Sequence, residues 1–134
     1  MKLTIEDKKL IEIAKKIILK SKPVNLIDTG LVGSALITTK GNVFCGVCLG
    51  FYCGIGSCGE YQAIGNMISN GEKEIKTIVA ICDDGKILPP CGKCREMIKQ
   101  ACKKNLNTEV IISKSQKVKL KDLIPYAYKD TIER

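Results

Sequence analysis

The sequence predicts an α/β fold, a three-layer α/β/α sandwich with a mixed central sheet. Three features predict it. Residues 4–20 carry apolar side chains at helical spacing, residues 31–49 hold two apolar, β-branched runs around a turn, and residues 75–113 read as strand, helix, strand. A strand–helix–strand crossover favours a parallel pair, whereas a hairpin is antiparallel. One sheet containing both is mixed and needs helices to cover it.

In the first helix, Leu10, Ile11, Ile13, Ala14, Ile17, Ile18 and Leu19 share a broad face opposite lysines and acids, and Pro23 ends the pattern. LVGSALITT and VFCGVCL then flank Lys40-Gly41-Asn42 as the arms of a hairpin, and GFYCGIGS reads as a glycine-rich loop. From Cys58 to about Ser69, Ala63, Ile64, Met67 and Ile68 recur at helical spacing until Asn70-Gly71 stops them. IKTIVAIC at 75–82 is a continuous apolar run, as in a strand buried on both faces, and Asp83-Asp84-Gly85 turns it off. Cys91 to about Lys104 is expected to be helical, TEVIIS at 108–113 a strand, and VKLKDLIPYAY a short final helix broken by Pro125.

A chain of 134 residues fits one domain, 1–134, with a continuous core. No apolar run approaches the roughly 20 residues of a membrane span, and the charged, periodic start is unlike a signal peptide, so a cytoplasmic protein is expected. The net charge of +8 invites a nucleic-acid partner. Its distribution argues otherwise: lysines from Lys8 to Lys121, Lys99 and Lys117 among them, are scattered as on solvated helix faces, and aromatic residues, the stacking platforms for bases, are only 4%.

Eight cysteines in a chain without an export signal read as reduced thiols, so their spacing points to metal chemistry rather than to a disulfide framework. Cys91 and Cys94 in PPCGKC can present two sulfurs to one ion from a single turn, and Cys58 in CGE stands at another expected helix start. A structural zinc site closes with a fourth protein ligand, while a catalytic one leaves that position to water. The chain has no histidine, and Cys53 is the remaining competitor for the fourth position. Cys45, Cys48, Cys82 and Cys102 read as buried small hydrophobes in strands and in a helix. Glu60, two residues beyond Cys58, is placed to move protons without binding the metal. These parts suit hydrolytic deamination of an amino-substituted ring carbon. Thiol redox chemistry and an inactive zinc-stabilised module stand beside that reading, and redox chemistry leaves Cys58 and Glu60 without a role.

CGE followed by PCGKCRE resembles the zinc-binding cytidine deaminase family, with its Cys/His-x-Glu and Pro-Cys-x-x-Cys pattern. VGSALIT at 32–38, VFCGV and LKDLIPYAY resemble further stretches of the free-nucleoside enzymes, and VAICDDGKILPPCGKCRE is similar to blasticidin deaminases. The resemblance implies Zn2+ held by Cys58, Cys91 and Cys94, Glu60 as proton shuttle, a homotetramer, and a free aminopyrimidine such as cytidine as substrate, with ammonia released. It implies substrate contacts near Cys48, Gly50 and Tyr128, the last close to a neighbouring subunit's site, and the glycine-rich loop itself offers Phe51 to line a substrate pocket and Ser57 as a donor. The family holds ribose with Asn-x-Glu where this chain has Cys48-Leu49-Gly50, and has Arg where this chain has Tyr61 and Phe near Gly30. A nucleic-acid editor is the alternative enzyme class; such deaminases usually carry histidine as first ligand and a different dipeptide between the paired cysteines.

Overall fold

Thr4 and Asp7 open the first helix with a reciprocal capping box: the Thr4 N–H donates to Asp7 Oδ2 (2.8 Å) and the Asp7 N–H donates to Thr4 Oγ1 (3.2 Å). The computed structural model describes residues 1–21 and 29–128, and in it this helix, α1, runs Ile5–Ser21. The stop expected at Pro23 lies outside the described residues. Strands β1 (Val32–Thr38) and β2 (Val43–Val47) form the expected antiparallel hairpin, with Leu36 opposite Phe44. The segment expected to be a loop contains a second, smaller ribbon, β3 (Leu49–Gly50) against β4 (Gly56–Ser57). Its ladder is extended by the Phe51 N–H to Ile55 O bond, and Thr29 Oγ1 both donates to Gly50 O and accepts from Gly50 N–H.

Then follow α2 (Gly59–Ser69), β5 (Ile75–Cys82), α3 (Gly92–Ala101), β6 (Glu109–Ile111), β7 (Lys117–Lys119) and α4 (Leu120–Leu123). The main sheet has the order β2-β1-β5-β6-β7, antiparallel at each step except β5–β6, which the α3 crossover makes parallel. Successive residues of a strand point to opposite faces. Leu36, Ile78 and Val110 therefore pack with Ala63, Ile64, Met67 and Ile98 on the α2/α3 side, while Ala35, Val79 and Ile111 pack with Leu10, Ala14 and Ile18 of α1 on the other. The three expected layers follow from this alternation.

Two glycines let the helices approach the sheet closely. A Cβ on Gly33 would lie 2.3 Å from Ala14 O of α1, and one on Gly46 would lie 2.5 Å from the Ala63 nitrogen of α2.

The C-terminal third departs from the expected pattern. Helix α3 stops at Ala101, Cys102 is extended (φ −162°), and Lys103–Asn107 forms a 3-10 turn. Buried Asn105 enforces the break: its Oδ1 accepts from the Ile75 N–H, and its Nδ2 donates to Lys73 O and Ile98 O, each at 2.9 Å. Cys102 is consequently half-buried beyond the helix rather than inside it. Strand β6 is shorter than expected. The expected short helix before Pro125 is present as α4, but it is preceded by β7, which the sequence does not announce because a Lys-Val-Lys edge strand carries little apolar signal.

Nor are all the scattered lysines solvated. Lys99 and Lys117 are buried. Lys117 Nζ lies 2.8 Å from Asp7 Oδ2 and also pairs with Glu109, which fastens the start of α1 to the β6–β7 edge. Burial alone would raise the Asp7 and Glu109 carboxyls, but the Lys117 ammonium, with Thr4 at Asp7 and Lys119 at Glu109, holds both below their usual values. Lys117, against its own desolvation, is held above its usual value by the two carboxylates.

Lys117→Met should strand two carboxylates and destabilise the fold by about 3 kcal/mol in urea titration. Carboxylates held low stabilise the fold above their unfolded values of 3.8 and 4.5, and that contribution is lost as pH falls through their folded values. Wild type should therefore lose stability progressively below about pH 5, and the variant should show a shallower acid slope. An unchanged acid slope would contradict the role given to this network.

Candidate active site

Each of the two cysteine motifs ends at a helix start. Cys58 is the N-cap of α2 (φ −69°, ψ 157°) and Cys91 the N-cap of α3 (φ −66°, ψ 167°), and neither side chain caps its own helix. Their sulfurs turn towards each other instead, 3.5 Å apart. Cys94, in the first turn of α3, is fully buried beneath them. The three Sγ atoms all lie within 4.8 Å of one another. A tetrahedral ion with Zn–S bonds of ~2.3 Å has S–S edges of about 3.8 Å, so this donor set fits zinc with small side-chain shifts. Cys53 sits at the exposed tip of the β3–β4 ribbon with φ 64° and is not part of the group.

Glu60 lies in the first turn of α2, only 6% exposed, with Oε2 3.9 Å from Cys94 Sγ. Burial raises its carboxyl above the usual 4.5, although its own backbone N–H and the Cys94 thiol act in the opposite direction. Among the thiols, burial pushes Cys94 far above its usual range and raises Cys58. Cys91 is also desolvated, yet the Cys94 N–H and the Cys58 and Cys94 thiols point donors at it and bring it below 9.0. Cys91 is thus the readiest thiolate of the three, and metal binding would displace protons from the others.

Several structural features hold this cluster in place. Gly46 admits the start of α2 against the hairpin, with its would-be Cβ also 2.7 Å from Gly59 O. Pro90, just before Cys91, offers its carbonyl to Arg95 Nε (2.8 Å), and Arg95 Nη1 reaches Leu123 O (2.9 Å) at the end of α4. Arg95 belongs to the PCGKCRE motif, but nothing in the motif itself reveals this task. Thr29, which fixes Gly50, carries no sequence signal.

The other positions expected to contact substrate lie outside the three-cysteine group. Cys48 Sγ accepts the Val32 N–H (3.3 Å), Gly50 is bonded to Thr29, and Ser57 Oγ accepts from Gln62 Nε2. Phe51 is 36% exposed. Tyr128 has an exposed side chain, while its N–H donates to Glu96 Oε1 (2.6 Å) and its carbonyl accepts from Lys99 Nζ (2.7 Å). Cys45, Cys48, Cys82 and Cys102, expected to be buried, are each only partly so, and the Cys82 thiol donates to Asp83 Oδ1 (3.3 Å).

No family model matches the chain. A blasticidin-S deaminase of Bacillus cereus is 33% identical over 106 residues, covering 72% of this chain and 76% of that protein. The chain belongs to the cytidine and blasticidin-S deaminase family. A second member of the family, a cytidine deaminase of Halalkalibacterium halodurans, is 28% identical over 102 residues, again 72% of this chain and 76% of the relative. The deaminase fold is matched by the crystal structure of cytidine deaminase from Mycobacterium tuberculosis, with a TM-score of 0.80 over 94% of this chain and 99% of that one at 20% identity.

The double grip of Arg95 on Pro90 and Leu123 should be visible in stability. Arg95→Met is expected to cost about 2 to 3 kcal/mol in urea denaturation, the scale of two charge-assisted bonds in a partly buried setting. Arg95→Lys should recover less than half, because an ammonium lacks the fork that reaches both carbonyls. Full recovery with lysine would show that charge alone matters.

Proposed function

We propose that this chain is a zinc-dependent hydrolase that releases the exocyclic amine of cytidine or a related free aminopyrimidine as ammonia. The observation that carries the reading is the meeting of Cys58, Cys91 and Cys94 within 4.8 Å beside buried Glu60. Family membership supports the reaction class. Cys58, Cys91 and Cys94 would hold the ion, whose Lewis acidity would bring the ionisation of water towards neutral pH.

Glu60 supplies the proton chemistry. Its carboxylate takes a proton from the attacking water and gives it to the ring nitrogen next to the amine-bearing carbon, then carries the second proton of that water to the amine, which leaves as ammonia. The water oxygen becomes the carbonyl oxygen of the product. Burial at the α2 start makes this carboxylate a better base than an exposed one and excludes bulk water from the transfer.

The proposal extends to substrate and assembly. Cys48 Sγ already accepts from the Val32 N–H, Gly50 has no side chain and both its backbone groups are bonded to Thr29, so no carboxamide or carboxylate is offered there to a sugar hydroxyl. Plain cytidine is therefore a weaker substrate than a modified nucleoside or another aminopyrimidine. The domain 1–134 works as a cytoplasmic homotetramer, a reading supported by exposed Tyr52, Tyr126 and Tyr128. Among the described residues no helix is long and apolar enough to cross a membrane.

The purified protein should hold about one zinc per chain and release ammonia from at least one member of a panel containing cytidine, deoxycytidine, cytosine and blasticidin S. Glu60→Gln should keep zinc and thermal stability while kcat falls by about 10² to 10⁴. Near-normal turnover in that variant, or a zinc-loaded wild type inert towards every amino-heterocycle tried, would overturn the reading.

A further inference from the structure

Between the two helix starts lies a contact that this chemistry does not use. Tyr61 follows Glu60 in the first turn of α2, and Lys93 stands between Cys91 and Cys94 in the first turn of α3. Lys93 Nζ sits 4.4 Å from the centroid of the Tyr61 ring. That is inside the ~6 Å range in which an ammonium is attracted to an aromatic face. The contact joins residues adjacent in sequence to Glu60 and Cys94, so it ties the first turn of α2 to the first turn of α3. The neighbouring charged residues of α3 are engaged elsewhere: Arg95 with Pro90 O and Leu123 O, Glu96 with the Tyr128 N–H and with Gln100 Nε2.

The geometry of the site gives this contact a task. Cys58 is the N-cap of α2 and Cys91 the N-cap of α3, so the separation of their sulfurs depends on how the two helix starts are held. An ammonium of α3 attracted to the face of a ring on α2 draws those starts together.

We propose that the Tyr61–Lys93 pair is a positioning clamp for the metal centre, holding the start of α2, with Cys58, against that of α3, with Cys91 and Cys94. The clamp's effect on metal rests on the zinc-dependent function proposed for the chain. Its mechanical effect operates in the metal-free protein as well, where the clamp couples α2 to α3.

The test is a double-mutant cycle on Lys93→Ala and Tyr61→Ala, with Lys93→Arg and Tyr61→Phe as conservative partners. Zinc affinity is read by competition with a chromophoric chelator at fixed pH, and the metal-free proteins are unfolded in urea. Each alanine variant should weaken zinc binding about two- to fivefold, the scale of an exposed cation–π contact. The double variant should bind no more weakly than the poorer single one, and Arg and Phe should restore affinity, since both keep a cation and a ring. Multiplying losses in the double variant, or single variants that bind as wild type does, would overturn the clamp. A wild type that takes up no zinc would instead sink the proposed function. The clamp would then be judged on the urea midpoints, where non-additive losses support it and additive or absent losses overturn it.

Discussion

The approach of Cys58 to Cys91, 3.5 Å between sulfurs, requires two helices far apart in sequence to begin at one point. Both starts are delivered by backbone that is itself tied down. The β3–β4 ribbon leads into Cys58, with Gly50 fastened to Thr29. On the other side the chain leaves β5 and doubles back along it: the Cys82 N–H bonds Lys86 O, the Leu88 N–H bonds Ala80 O, and Ile81 bridges Ile87 before Pro90 hands over to Cys91. The mixed sheet sets up this meeting. Its antiparallel β1–β5 pair and parallel β5–β6 pair bring the start of α3 back beside that of α2, on the face where Leu36, Ile78 and Val110 form the floor.

Placing this cluster at two helix N-termini has electrostatic consequences. The helix ends favour negative charge, while burial disfavours it, and the three thiols resolve the conflict differently. Cys91, at the exposed rim with donors aimed at it, is brought down; Cys94, buried and near Glu60, is pushed up. A dication changes that balance by favouring all three thiolates at once. Glu60 remains the buried carboxylate next to them, its carboxyl raised by desolvation. The same physics runs in reverse at the β6–β7 edge, where Lys117 is surrounded by Asp7 and Glu109 and the group serves to close the fold.

Much of this is legible in the sequence where a pattern is local. The amphipathic stripe of α1, the Lys40-Gly41-Asn42 turn, the continuous apolar run of β5 and the two cysteine motifs each announce their element within a dozen residues. The three cysteines can be grouped because N-cap geometry follows from where the apolar periodicity begins. What escapes a local reading depends on partners distant in sequence. Asn105 ends α3 through bonds to Lys73 and Ile75. β7 exists because β6 offers it an edge, and Lys117 is buried because Asp7 and Glu109 wait for it. Arg95 is one more surface cation in the sequence, and only the fold places the carbonyls of Pro90 and Leu123 within its reach.

The central claim is that Cys58, Cys91 and Cys94 form a three-sulfur zinc centre with one position open beside Glu60. X-ray absorption at the zinc edge of the metal-loaded protein tests it most directly. Three sulfur scatterers at ~2.3 Å and one oxygen or nitrogen scatterer at ~2.0 Å are expected for an open site. Four sulfurs would make the centre a closed structural site, with Cys53 or another thiol drawn in, and would contradict the account.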